Sequence, residues 1–145
     1  MLSKSTGYAI RALVFVQLKN CENNRPGVGE IAKEIGAPFA YSAKILQTLT
    51  KHRLLDSMKG RGGGFFFSNN QSDLTLYNVI NVMEGDASFH ECGFGLKSCD
   101  CNNPCPLHEK YAVIRDGYYE IVKTETIQSL TNKILDGSAV LNHSI

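Results

Sequence analysis

The stretch EIAKEIGAPFAYSAKILQTLTKHRLLDSMKGRGGGFFF, residues 30–67, decides the fold. Its first part repeats apolar residues at helical spacing, with Ile31 and Ile35 on one face and Gly36 as a stop. A second helix, PFAYSAKILQTLTKH, opens at Pro38 and again carries one apolar face. Two helices joined by a short turn that contains glycine predict a helix-turn-helix.

The end of the same stretch has the pattern of a β-hairpin. Leu55 to Lys59 and Gly64 to Phe67 are predicted strands, joined by a glycine-rich tip that also contains Arg61. A hairpin directly after a helix-turn-helix is a wing, and glycines at its tip let the backbone approach phosphates. GRGGG lacks the Gly-Lys-Ser/Thr ending of a nucleotide-binding loop and opens no helix, so we discount that alternative.

Positive charge is concentrated in this segment. Between Pro38 and Gly64 five basic residues and one acidic residue give a net charge of +4, whereas the whole chain carries +1. Nucleic-acid binding can therefore be inferred only from this local excess of positive charge, and not from the net charge of the chain. The polar face of the second helix is either an ordinary solvent-exposed surface or a DNA-contacting surface. The wing that follows favours DNA contact. The predicted DNA-binding residues are Tyr41, Lys44, Gln47, Lys51, Lys59 and Arg61.

Apolar residues at helical spacing predict further helices outside this unit. They span about Lys4 to Lys19, Asp73 or Thr75 to Met83, a long segment from Pro106, and Ile127 to Leu135. We expect a mainly α fold with a small β wing, in one compact domain. Its regions are a winged helix-turn-helix part (1–85), a cysteine-rich loop (86–105), and a dimerisation helix followed by a C-terminal helix (106–145).

The long helix from Pro106 carries an apolar seam. Its members step by 4, 3, 4 and 3 residues and are Leu107, Tyr111, Ile114, Tyr118 and Ile121. This spacing suits packing against a partner helix. Packing against the chain's own domain is the alternative, but a long apolar seam on a small domain favours a homodimer.

Four of the five cysteines lie between positions 92 and 105. The odd count and the lack of a signal sequence argue against a secreted disulfide framework, so we expect a cytoplasmic protein. Six residues separate Cys92 from Cys99 and five separate Cys99 from Cys105, in a glycine-containing loop where thiolates can converge. Zinc sites usually have shorter spacings, which favours an iron–sulfur cluster. A zinc site and a metal-free thiol sensor remain alternative interpretations of the cysteine loop.

Other function classes have less support. The sequence has no apolar run of membrane-spanning length, and it shows no Ser/His/Asp or paired-carboxylate pattern. We therefore expect no membrane association, no small-molecule substrate and no enzymatic activity. An electron-transfer or metal-storage protein is the rival class, for which the wing would be incidental.

The order of these pieces resembles the IscR/NsrR/CymR superfamily of bacterial winged-helix regulators, over almost the whole chain. The resemblance is carried by SKSTGYAIRAL, by EIAKEIGAPFAYSAKILQTLTKHRLL, by the wing GRGGGFFF and by the triple Cys-x6-Cys-x5-Cys. It implies a homodimer with a long crossing helix and an iron–sulfur cluster that modulates operator binding, most often for repression. Some members lack the cysteines and respond to other signals.

The resemblance is strongest to the IscR-like branch, in which a histidine shortly after the third cysteine completes a [2Fe–2S] cluster. It implies the ligands Cys92, Cys99, Cys105 and His108, and favours [2Fe–2S] over [4Fe–4S]. In the nitric-oxide-sensing branch a carboxylate near the N-terminus of the partner subunit can be the fourth ligand. The corresponding stretch here, Thr6-Gly7-Tyr8, has no carboxylate. Cys101 departs from the three-cysteine pattern and is the alternative fourth ligand. The expected signal is redox, iron–sulfur or nitric oxide status.

Overall fold

The structure is a computed structural model that describes residues 2–68 and 71–142. Its helices are α1 (Lys4–Cys21), α2 (Val28–Ile35), α3 (Phe39–Lys51), α4 (Leu76–Glu84), α5 (His108–Thr124) and α6 (Ile127–Leu135). The strands are β1 (Asp56–Met58) and β2 (Gly64–Phe66), and short 3-10 turns span Gln71–Asp73 and Ala87–Phe89. The predicted fold class is confirmed. Residues 143–145 of the predicted C-terminal region lie outside the described residues.

Helix α1 forms the centre of the core. Ala9, Leu13 and Val16 recur at helical spacing and are fully buried. The side chain of Ser3 caps the helix by accepting a hydrogen bond from the Thr6 N–H. Helices α2, α3, α4 and α6 all contact α1. Truncating Leu13 to alanine would therefore cost about 2–5 kcal/mol of stability.

The helix-turn-helix consists of α2 and α3. Helix α2 ends at Gly36, whose φ of 70° is left-handed and favours a residue without a Cβ atom. Helix α3 begins one residue after Pro38, and the Ser42 hydroxyl donates to the Pro38 carbonyl at 2.9 Å. The buried face of α3 is formed by Ser42, Ile45, Leu46 and Leu49. The opposite face is left available to another molecule.

The wing consists of β1 and β2, which pair antiparallel. Asp56 lies opposite Phe66, and Met58 lies opposite Gly64. Each strand has three residues and is shorter than predicted. The turn takes up the difference, because Gly60 and Gly62 adopt positive φ values of 94° and 74° there.

Helix α5 begins at His108 and not at Pro106 as predicted. The His108 N–H donates to the Cys105 carbonyl at 3.0 Å, so the chain first closes a turn and only then becomes helical. Helix α6 returns to α1, where Gln17 Nε2 donates to Gln128 Oε1 at 2.8 Å. The C-terminal helix therefore packs on the N-terminal one.

Helix α5 packs through Tyr118 and Tyr119 on Tyr77 and Phe89, and the four rings form an aromatic cluster. The rings of Phe89 and Tyr118 are stacked, with centroids 5.4 Å apart. By contrast, Val113, Ile114 and Ile121 of the same helix are 74%, 63% and 57% exposed. The predicted seam is therefore divided, since its tyrosines are half-buried and its isoleucines are exposed.

The structure of residues 2–68 and 71–142 contains no candidate membrane-spanning helix. Their helices lack the combination of length and apolar character that a bilayer-spanning segment needs.

Candidate functional site

The four side chains predicted as metal ligands come together in two pairs near the start of α5. The Sγ atoms of Cys92 and Cys105 lie 3.3 Å apart. The Sγ atom of Cys99 lies 3.2 Å from Nδ1 of His108. Cys92 is buried, and the other three are partly buried. The loop thus gathers residues that are up to 16 positions apart in sequence.

The loop backbone wraps the sulfur of Cys92. Hydrogen bonds from the backbone N–H groups of Leu96 and then Phe94 lower the pKa of Cys92, although burial opposes them. The Phe94 nitrogen lies 3.4 Å from the sulfur. These donors stabilise a thiolate, which is the form of cysteine that binds metals.

Cys105 behaves in the opposite way. Burial, followed by the hydrogen bond with Cys92, raises the pKa of Cys105, and the charge of Cys99 adds to the rise. Of the two thiols, Cys92 therefore loses its proton more readily than Cys105. The effect of Cys99 on Cys105 also means that the two pairs are neighbours. A metal would replace the shared proton, because metal ligands must be deprotonated.

Arg115 is a site residue that the sequence analysis missed. A hydrogen bond to the sulfur of Cys99, followed by pairing with Asp116, raises the pKa of Arg115 although burial opposes it. The Arg115 side chain is only 14% exposed, and its Nη2 lies 3.0 Å from Asp116 Oδ1. Its position seven residues after His108, two helical turns along one face, was the available signal.

Cys101 belongs to neither of the two pairs. It is exposed, whereas Cys92, Cys99 and Cys105 are at least partly buried. Cys21, the last residue of α1, is also exposed.

The donor chemistry of the two pairs fits an iron–sulfur cluster. No group of three or more Cys, His, Asp or Glu side chains in residues 2–68 and 71–142 is close enough to hold one metal ion. A structural zinc site needs four ligands around one ion. A [2Fe–2S] cluster takes two protein ligands on each of two irons, so it suits side chains arranged as pairs.

The second candidate site is an open groove of about 710 Å³ between α3 and the wing. Lys44 and Gln47 line it from α3, and Lys59 lines it from the hairpin, together with Ser57 and Phe65. Three of the six predicted DNA-binding residues therefore share one groove. Its mixture of cations, an amide and a hydroxyl suits phosphates and base edges.

The other three predicted DNA-binding residues lie around this groove. Tyr41 is 37% exposed in the first turns of α3. Lys51 is the last residue of α3, and Arg61 lies at the tip of the wing; both are exposed. All of them lie on surfaces that another molecule can reach.

The last turn of α1 and the loop before α2 hold the wing in place, which could not be seen in the sequence. Asn20 Nδ2 donates to the Phe65 carbonyl at 3.3 Å, and Asn20 Oδ1 accepts from the Phe67 N–H at 2.9 Å. The Arg25 guanidinium lies 4.1 Å from the centroid of the Phe66 ring. The second strand of the wing is therefore fixed to the end of α1 and to the loop that follows it.

The chain is similar to known regulators in sequence and in structure. A family model described as "Rrf2: Iron-dependent Transcriptional regulator" matches residues 2–133. Protein aau3 of Rhizobium meliloti is 30% identical over 131 residues, which cover 89% of this chain and 83% of that protein. The transcriptional regulator IscR of Pectobacterium atrosepticum is 24% identical over 131 residues, covering 90% and 79%.

Among solved structures, CymR, the global cysteine regulator of Bacillus subtilis, superposes with a TM-score of 0.72 at 20% identity, covering 91% of this chain and 96% of that one. This likeness shows the fold. The resemblance to the IscR/NsrR/CymR superfamily is confirmed, as is the expectation that the chain is not an enzyme, because these relatives are transcriptional regulators. The chain belongs to the Rrf2 family of transcriptional regulators.

Proposed function

We propose that the chain is a dimeric, DNA-binding repressor whose operator affinity is set by a [2Fe–2S] cluster. Its proposed ligands are Cys92, Cys99, Cys105 and His108. The observation that carries this proposal is the arrangement of these side chains as two pairs, with separations of 3.3 and 3.2 Å. The description of the family as iron-dependent supports iron as the metal.

The chain's own residues prepare the site for such a group. The N–H groups around Cys92 stabilise its thiolate, and Arg115 places a guanidinium group beside the sulfur of Cys99. The thiol proton of Cys105 leaves when the sulfur becomes a ligand. When bound, the cluster supplies a centre that responds to redox, iron–sulfur or nitric oxide status. We assign exposed Cys101 as a neighbour of the site and not a ligand.

The exposed face of α5 is the proposed dimer interface. Val113, Ile114 and Ile121 are each more than half exposed, although large aliphatic side chains gain about 1.5–3 kcal/mol each when fully buried. Two copies of α5 crossing along this face would bury them. The half-buried Tyr118 and Tyr119 contact Phe89 and hold α5 against its own subunit.

The proposed DNA contacts divide into two kinds. Gln47 and Lys44 face the groove and would contact base edges when α3 enters the major groove. Lys59 and Arg61 of the wing would contact phosphates. Tyr41 and Lys51 lie at opposite ends of α3 and would fix its position on the duplex.

The site and the DNA-binding surface are joined through α5. The proposed ligands tie the loop to the first turn of α5, and α5 packs through Tyr118 and Tyr119 on Phe89 and Tyr77. Helix α4, which carries Tyr77, contacts α1 and α3. A change in cluster occupancy would alter the order of the loop and so shift the population of dimers with the correct α3 spacing.

A thiol-redox regulator is the second candidate, because the sulfurs of Cys92 and Cys105 lie only 3.3 Å apart. A peroxide could oxidise the pair to a disulfide, in which the two thiols lose two protons and two electrons while the peroxide O–O bond is reduced. Thiol counting after peroxide treatment of the metal-free protein measures this reaction.

The proposal is tested by binding to a duplex selected from a random library. We expect the cluster-loaded and metal-free proteins to differ in affinity about tenfold or more, which corresponds to a coupling of about 1.4 kcal/mol. Gln47→Ala should reduce sequence discrimination by about 1–3 kcal/mol, and Arg61→Gln should lower the salt slope by about one. Equal affinities of the loaded and metal-free forms would contradict the proposal.

A further inference from the structure

We infer that the N-terminal half of α1 forms a second DNA-contacting surface, in which Lys4 and Arg11 bind phosphates beside the contacts made by α3. We call Lys4, Tyr8 and Arg11 the α1 basic patch. The inference rests on the proposed DNA-binding function, but it concerns an element outside the helix-turn-helix and the wing.

The patch is organised around the ring of Tyr8. The Lys4 ammonium lies 5.9 Å and the Arg11 guanidinium 4.9 Å from the centroid of this ring. Because these residues are four and three positions from Tyr8, they lie on one face of the helix, before and after the ring. Lys4 is exposed, and Tyr8 and Arg11 are partly exposed. The cations are thus held in place without being buried.

The patch is continuous with the predicted recognition helix. The rings of Tyr8 and Tyr41 meet edge to face, with centroids 5.8 Å apart and an interplanar angle of 80°. A groove of about 300 Å³ beside this contact is lined by Ser5 from α1 and by Tyr41 and Lys44 from α3. A duplex seated on α3 would therefore pass next to the N-terminal half of α1.

The two cations are available for an anion. Within the described ranges neither Lys4 nor Arg11 forms a salt bridge. The nearby carboxylate of Glu84 is engaged by Ser3 and Thr6, on a different face of α1. The patch thus carries two positive charges that no salt bridge compensates in the described part of the chain.

Backbone phosphate is the ligand chemistry that fits this patch. Lys4 and Arg11 are seven residues apart, about 10 Å along the helix axis, so the two cations can contact two separate phosphates. Long cations beside an aromatic ring reach phosphates readily but do not define bases. The patch should therefore add affinity and salt dependence without adding sequence discrimination.

The test is the salt dependence of binding to the selected duplex, measured by fluorescence anisotropy between about 50 and 200 mM salt. Lys4→Gln/Arg11→Gln should lower the slope of log affinity against log salt by about two, since each phosphate contact contributes about 0.9. The affinity ratio between the selected and a scrambled duplex should stay that of the wild type. Arg11→Lys, which keeps the charge, should retain the wild-type slope.

The matched control is Lys123→Gln/Lys133→Gln, which removes two charges from α5 and α6. Lys123 is also paired with a tyrosine ring, at 4.8 Å from Tyr119. An unchanged slope in Lys4→Gln/Arg11→Gln with a native circular dichroism spectrum, or an equal drop in the control, would overturn the inference. Wild-type protein that binds no duplex would instead contradict the proposed function itself.

Discussion

The Sγ atom of Cys99 lies 3.2 Å from Nδ1 of His108, across the junction between the cysteine loop and α5. His108 is the first residue of the helix, and Cys105 precedes it by one turn. Together with the Cys92–Cys105 pair, this contact fastens an irregular loop to the helix that we assign to the dimer interface. Events at the sulfur atoms can therefore act directly on α5.

Replacing His108 by alanine tests the fourth ligand. We expect His108→Ala to lose most of the cluster absorbance of anaerobically prepared protein, because one iron would keep a single protein ligand. The measurement is the visible spectrum together with iron content. Cys101→Ser is the matched control and should keep both at the wild-type level. A colourless Cys101→Ser beside a coloured His108→Ala would reverse our ligand assignment.

Replacing Gly64 by alanine tests how the wing is held. Gly64 has a φ of 137°, and a Cβ atom there would overlap the carbonyl oxygen of Arg25. We expect Gly64→Ala to lose about 1–3 kcal/mol in the free energy of unfolding and to weaken DNA binding tenfold or more. Urea denaturation and anisotropy measure the two effects.

Gly62→Ala is the control for this prediction. Gly62 also has a positive φ, 74°, but a Cβ atom there would meet open space. Gly62→Ala should lower the free energy of unfolding only by the local backbone strain, about 1–2 kcal/mol, and should not move the wing. Equal DNA affinities of the two variants would mean that the contact with Arg25 does not position the wing.

The apolar face of α5 is tested by Ile114→Glu/Ile121→Glu. Both isoleucines are more than half exposed in the single chain, so these substitutions should not disturb its fold. They would bury charge at the proposed interface, and we expect sedimentation to show a monomer where the wild type is a dimer. Lys110→Glu, an exposed polar position on α5, should remain dimeric. A wild-type monomer at micromolar concentration would refute the interface.

Glu84 gives a prediction about acid stability. Burial raises the pKa of Glu84, but hydrogen bonds from Ser3 and Thr6 outweigh it and leave the pKa below its ordinary value. A lowered folded-state pKa stabilises the protein above the unfolded pKa of about 4.3, and this stability is lost as the pH falls through the folded value. Glu84→Gln should therefore be less stable than wild type at pH 7, with a difference that shrinks below about pH 4. A constant difference in urea denaturation would contradict this.

Local patterns predicted most of the elements. Apolar periodicity located α1, α3 and α6 to within two residues, and Gly36 marked the end of α2 because its left-handed backbone is a local property. The start of α5 was misplaced, since a proline favours a first helical turn but the hydrogen bond from His108 to Cys105 closes a separate turn there.

Contacts between distant residues could not be predicted. Asn20 holds Phe65 and Phe67, which lie more than 40 positions away, and any surface amide has the same local signature. Arg115 looked like an ordinary helical cation until the fold brought it to Cys99. The resemblance and its position in the first turn of the long helix ranked His108 ahead of Cys101. That ranking stays a prediction; in the structure His108 is partly buried and Cys101 is exposed.

The most direct test of the account is the iron and acid-labile sulfide content of anaerobically prepared protein, measured per chain together with zinc. The two ligand pairs predict about two irons and two sulfides per chain and almost no zinc, because each pair would hold one iron. One zinc per chain without sulfide, or a metal-free protein after anaerobic cluster reconstitution, would contradict the account.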